Sequence, residues 1–203
     1  NAFNGKSAMT RVEIPSGVTM IGYQAFRGCT SLTELQLPAG LTALGGSAFR
    51  GCTSLTAIEL PQGLTALGDY TFLYCTALVD VQLPEGLVSM GAGAFKECYS
   101  LEELEIPAGV TTIAAETFRS SQSLTRVALP AGLTAIGDDA FNDCYALTEA
   151  VIPSGVTEIG ARAFRYCQSL TRAVIPAGVT TLADSAFSNC VSLASVELPE
   201  GLT

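Results

Sequence analysis

Histidine and tryptophan are absent from this 203-residue chain, and only 14% of its residues are charged. Without histidine there is no Ser-His-Asp or Cys-His nucleophile pair, no His-containing zinc site and no imidazole base. Ten lysines and arginines stand against nineteen aspartates and glutamates, a formal net charge of −9. That balance argues against nucleic acid as a partner, because phosphates require clustered cations. No apolar run reaches the roughly 18 residues that read as a transmembrane helix, so no membrane span is expected. A basic, apolar leader is also missing. The chain opens Asn-Ala-Phe without an initiator methionine, so this lack says nothing about location. Apolar residues are plentiful, at 48%, which is too many for a disordered chain.

Those residues are distributed with a fixed period. All nine phenylalanines, from Phe3 and Phe26 through Phe118 to Phe187, are spaced 23 residues apart without an insertion. All nine prolines, Pro15 to Pro199, follow the same comb, each with glycine two residues on. The unit reads P-x-G-[LV]-T-x-[IL]-[GA]-x-x-[AT]-F-x-x-C-x-[SA]-L-x-x-x-x-[IL]. It predicts one solenoid domain over residues 1–203, of about nine repeats. The chain starts and stops inside a unit and shows no polar capping repeat, as expected of a piece of a longer protein.

Within each unit Leu32, Leu35, Leu37 and their equivalents place the last two leucines on one face of a short strand. Proline ends that strand, because it has no N–H for the ladder, and P-x-G starts a turn. A second short extended piece, V-T-x-I, follows. The segment G-x-x-A-F-x-x-C has the apolar spacing of one or two helical turns. Its charges agree: Asp69, Glu116, Asp138, Asp139 and Asp184 precede the phenylalanine, and Arg27, Arg50, Lys96, Arg119 and Arg165 follow it. A helix macrodipole favours that order, although a basic docking stripe would use the same residues.

The run "IPSGVTMIGYQAFRGCTSLTELQLP" resembles the 23-residue leucine-rich repeat of the BspA-like, or treponemal, type. The resemblance covers every repeat. It implies a right-handed leucine-rich-repeat stack with short parallel β-strands on the concave face and short helical turns on the convex face. It also implies a surface or secreted protein of the kind that binds host or matrix proteins.

Seven repeats carry cysteine three residues after phenylalanine, and Ser121 holds the equivalent place in another. A disulfide ladder, a metal site and a reactive thiol each compete with a buried column. An odd count and parallel directions speak against disulfides, and a column diverges along a line where metal ligands must converge. No histidine is present to activate a thiol. The thiols are expected to be free and internal, and no cofactor is expected.

Two columns should point outward from the strand. One reads Arg11, Glu34, Ala57, Asp80, Glu103, Arg126, Glu149, Arg172, Ser195; the other reads Glu13, Gln36, Glu59, Gln82, Glu105, Ala128, Val151, Val174, Glu197. Up to residue 105 they hold six acids and one base, which suits a cationic partner or Ca²⁺. Beyond it the charge sign alternates beside an apolar stripe. Surface drift, with net charge serving solubility, is the plain alternative. A protein partner is therefore expected across Arg126, Ala128, Glu149, Val151, Arg172 and Val174, steered by Glu103 and Glu105. Ala150 and Ala173 at inward positions leave it open whether Val151 and Val174 turn inward to fill the core. Tyr74 with Tyr99, and Tyr145 with Tyr166, fall on adjacent rungs as interface anchors or rim residues.

The resulting expectation is a non-enzymatic protein-binding or adhesion scaffold, extracellular or at a cell surface by resemblance. A structural element that associates head to tail is the alternative.

Overall fold

The computed structural model describes residues 1–202. The chain winds into a β-solenoid of stacked units whose like positions lie in register. Three-residue strands form one face, at Arg11–Glu13, Glu34–Gln36, Ala57–Glu59, Asp80–Gln82, Glu103–Glu105, Arg126–Ala128, Arg172–Val174 and Ser195–Glu197. Two-residue strands follow the proline turn, from Met20–Ile21 to Glu158–Ile159. Every pairing is parallel at the 23-residue offset, as in Arg126 beside Glu103 and Ala135 beside Glu158. In the repeat of Glu149 and Val151 the strand shrinks to a single bridge between Ala150 and Ala173.

The expected helical turns are not there. The described residues contain no helix, and the segment around each phenylalanine is a chain of tight turns. The hydrogen bonds show why. Ala25, Arg27 and Cys29 donate their N–H groups three residues back, to Gly22, Gln24 and Phe26, at 3.2–3.3 Å. The intervening Gln24, Phe26 and Gly28 donate to the next rung instead, to Gly46, Ala48 and Arg50 at 2.8–3.0 Å. A helix would use all of these donors internally, four residues back. The alternation is set by two left-handed residues per unit, two before and two after phenylalanine, such as Gln24 (φ 54°) and Gly28 (φ 70°). An α-helix cannot contain such residues.

The charges flanking phenylalanine therefore do not serve a macrodipole. Several form discrete pairs instead. Lys96 Nζ meets Glu116 Oε2 at 2.8 Å, Arg119 meets Glu116 Oε1 at 2.7 Å, and Arg162 grips Asp139 through two nitrogens at 3.0 and 2.8 Å. Burial alone would raise the Asp139 carboxyl, but Arg162 and Asn142 outweigh it and hold the group below its usual range. Lys96 and Arg119 do the same for Glu116. Both folded pKa values are lowered, so their contribution to stability is complete above the unfolded value of ~4. It is lost as pH falls through the folded values. In thermal melts from pH 7 downward, the double variant Glu116→Gln/Asp139→Asn should show a shallower loss of Tm below pH ~4 than the parent. An equal slope would refute this assignment.

The core is columnar. Eight consecutive phenylalanine pairs stack with ring centroids 5.1–5.8 Å apart and planes within 16° of parallel. Beside them runs the thiol column, free of disulfides, with Cys29 to Cys167 buried and Cys190 partly so. Each thiol donates to the carbonyl of the previous rung's phenylalanine, as Cys98 Sγ does to Phe72 O at 3.3 Å. Ser121 Oγ makes the same bond to Phe95 O at 2.8 Å. A small side chain with one donor satisfies a buried carbonyl, which explains why serine can replace cysteine. A third column caps open backbone: Thr42, Thr134 and Thr157 donate to Thr19, Thr111 and Thr134 carbonyls.

Candidate partner-binding face

Alternation along each three-residue strand decides what this face presents. The middle residue points inward: Ile58, Val81 and Leu104 are buried, and the residues on either side of each are exposed. Rung after rung, the two outward columns line one face, although its strands are hydrogen-bonded only in pairs, such as Ala57–Glu59 with Asp80–Gln82 and Glu103–Glu105 with Arg126–Ala128. Its centre holds an open groove of ≈ 960 Å³ across residues 80–131. The half-buried Leu83, Pro107 and Leu129 contribute apolar surface, and Asp80, Glu85, Glu103, Glu105 and Arg126 supply the charge. The prolines cluster there because each ends its strand at the same height.

The groove is electrostatically unsatisfied. Among the described residues, Glu85, Glu103 and Glu105 have no ion-pair partner, and Asp80 only accepts from Gln82 Nε2 at 2.7 Å. Arg126 sits beside Glu103 in register without forming an ion pair with it. At the two ends of the face charges are matched: Arg11 bridges Glu13 and Glu34, and Arg172 pairs with Glu197, while among the described residues Glu59 and Glu149 stand singly between these ends and the groove. No group of three or more Cys, Asp or Glu side chains placed to hold a metal ion occurs among the described residues.

The residues singled out from sequence divide into two sets. Glu103, Glu105, Arg126 and Ala128 come together as one paired segment and line the groove. Glu149, Val151, Arg172 and Val174 continue the same columns beyond its lining residues. Val151 is 71% exposed, whereas Ala150 and Ala173 are buried. Val151 therefore does not fill the core; the alanine pair is closed by its own bridge. Val174 is half-buried. Sequence reasoning placed Asp80 in the same outward acidic column as Glu103 but missed Glu85, which lines the groove beside them. The signal for Glu85 was present, since it is an acid one residue after proline, where the neighbouring repeats have Gln62 and Ala108.

Tyrosines gather on the adjoining turns. Tyr99 OH donates to Glu97 Oε2 at 2.8 Å, which with partial burial pushes the phenol up to about 12. Tyr145 OH donates to Asp143 Oδ1 at 3.3 Å.

Parallel short strands repeating every 23 residues around leucine, phenylalanine and cysteine columns define a leucine-rich-repeat solenoid. The chain belongs to the BspA-type leucine-rich-repeat family, whose model matches residues 1–125 and 88–203 in six copies. It is similar to the leucine-rich-repeat protein of Treponema pallidum, with 33% identity over 79% of this chain and 78% of that one, and a TM-score of 0.76. It is also similar to a leucine-rich-repeat protein from Bacteroides ovatus, with 25% identity over 100% of this chain and 70% of that one, and a TM-score of 0.61. No curated protein matches. Members of this class are repeat scaffolds, and no catalytic family is indicated.

Proposed function

We propose that the chain is a non-enzymatic binding scaffold, and that a protein partner docks a basic segment across the strand face at Glu103, Glu105, Arg126 and Ala128. One observation carries this reading: the groove holds unpaired carboxylates beside leucine and proline surface, while the charges at either end of the face are paired internally. Apolar contact there supplies affinity, and the carboxylates speed the encounter. Val151 extends the apolar contact by one rung, with Glu149, Arg172 and Val174 at the rim. Adhesion at a cell surface is the setting that the family resemblance supports.

The test uses a fluorescent peptide of alternating lysine and leucine, compared with its glutamate–leucine counterpart. The lysine peptide should bind with an association rate that falls as salt rises. Glu103→Gln/Glu105→Gln should slow association about tenfold and flatten the salt dependence, whereas Glu13→Gln/Glu34→Gln removes the same charge outside the groove and should change little. Val151→Lys should speed dissociation while leaving Tm unchanged. Equal effects from the two glutamine pairs would reduce the binding to net charge and overturn the reading.

A further inference from the structure

Two residues after each phenylalanine the backbone is left-handed in every described unit. The first three units use glycine there: Gly5, Gly28 and Gly51, at φ 74°, 70° and 72°. Later units put side chains on the same backbone, with Tyr74 at φ 62°, Glu97 at 59° and Tyr166 at 60°. Left-handed geometry is a true outlier for a bulky residue. Ser120, Asp143 and Asn189 take the same position in other units, so the fold does not itself require a tyrosine there.

These side chains form a cluster. Tyr99 OH donates to Glu97 Oε2 at 2.8 Å, and the Tyr74 hydroxyl faces the same carboxylate. Two phenol hydroxyls thus meet one carboxylate, with Tyr74 exposed. The chain itself shows what such a ring accepts. At the equivalent Tyr166, the Arg165 guanidinium lies 4.7 Å from the ring centroid and its NH2 is 3.4 Å from the hydroxyl. At Tyr74 the preceding residue is the buried Leu73, so no such cation is supplied. Lys96 and Arg50 are near Tyr74, but Lys96 is held by Glu116 at 2.8 Å, and among the described residues neither lies over a ring.

We propose that Tyr74, Glu97 and Tyr99 form a receptor for one arginine or lysine side chain of a partner protein, separate from the strand-face groove. The cation sits on the aromatic faces and the Glu97 carboxylate neutralises it. This assignment stands independently of the groove.

The experiment is an NMR titration of the tyrosine ring signals with a short Gly/Ser peptide carrying one arginine, alongside the same peptide with neutral citrulline. The arginine peptide should shift Tyr74 and Tyr99 and leave Tyr23 in place, with citrulline at least tenfold weaker. Glu97→Gln should weaken binding about five- to tenfold. Tyr74→Gly should abolish it and, by relieving the left-handed tyrosine, raise Tm by roughly 2 °C. Glu103→Gln/Glu105→Gln should leave it unchanged. Equal binding of citrulline, loss in the groove variant rather than in Glu97→Gln, or a lowered Tm for Tyr74→Gly would each overturn the proposal. So would a neutral oligosaccharide shifting these signals when the arginine peptide does not.

Discussion

Phe118→Ala is expected to destabilise the solenoid by about 3–5 kcal/mol, as for other fully buried aromatics. The ring is 0% exposed and stacks on Phe95 at 5.8 Å and Phe141 at 5.2 Å, so truncation removes both neighbours' contacts at once. Collapse around the cavity is opposed by the ladder on either side: Phe118 N donates to Ala140 O at 2.8 Å, and Phe95 N to Thr117 O at 2.9 Å. At this chain length the Tm should fall by on the order of 10 °C. Phe3, stacked on Phe26 alone and 41% exposed, is the control, and Phe3→Ala should cost far less. Equal Tm losses for the two variants would contradict a column whose strength comes from neighbours on both sides.

The thiols should separate just as sharply. Cys52, Cys75, Cys98, Cys144 and Cys167 are 0% exposed. Burial, reinforced by the neighbouring Cys29 thiol, pushes Cys52 up to about 12. Burial likewise raises Cys75, Cys98, Cys144 and Cys167, and each thiol is already donating to a phenylalanine carbonyl. Labelling needs the thiolate and an opened rung. Native-state modification by a maleimide should therefore be slower by about 10³-fold or more than in denaturant for these five. Cys190, partly exposed, should react first. Mass spectrometry of digested samples would read the order, and rapid modification of Cys98 in the native protein would remove the buried-column account.

The helical expectation shows why part of the structure was not legible. The spacing in G-x-x-A-F-x-x-C fits a helix, and the charge order fits its dipole. A chain of turns with the same inward residues gives the same pattern. What distinguishes them is backbone handedness at positions such as Gln24, Ser47 and Asp139, none of which is glycine. Side-chain periodicity carries no record of φ. The binding face was half legible for a similar reason. Glu103, Glu105, Arg126 and Ala128 could be placed on one sheet face because a strand alternates with period two. Glu85 joins them only because rungs and turns at different sequence positions open into one groove.

The sequence by itself determined the repeat, the inward columns of phenylalanine, leucine and cysteine, and the outward strand columns. A stacked fold with a 23-residue period must place like residues over like, and that needs no coordinates. Tertiary structure alone decided that the corners are turns bonded rung to rung, and that Val151 faces solvent beside a closed alanine pair. It also decided which acids are left without a cation, because pairing depends on distances between rungs: Arg162 reaches Asp139 across one offset, while Arg126 forms no ion pair with Glu103 across the same offset.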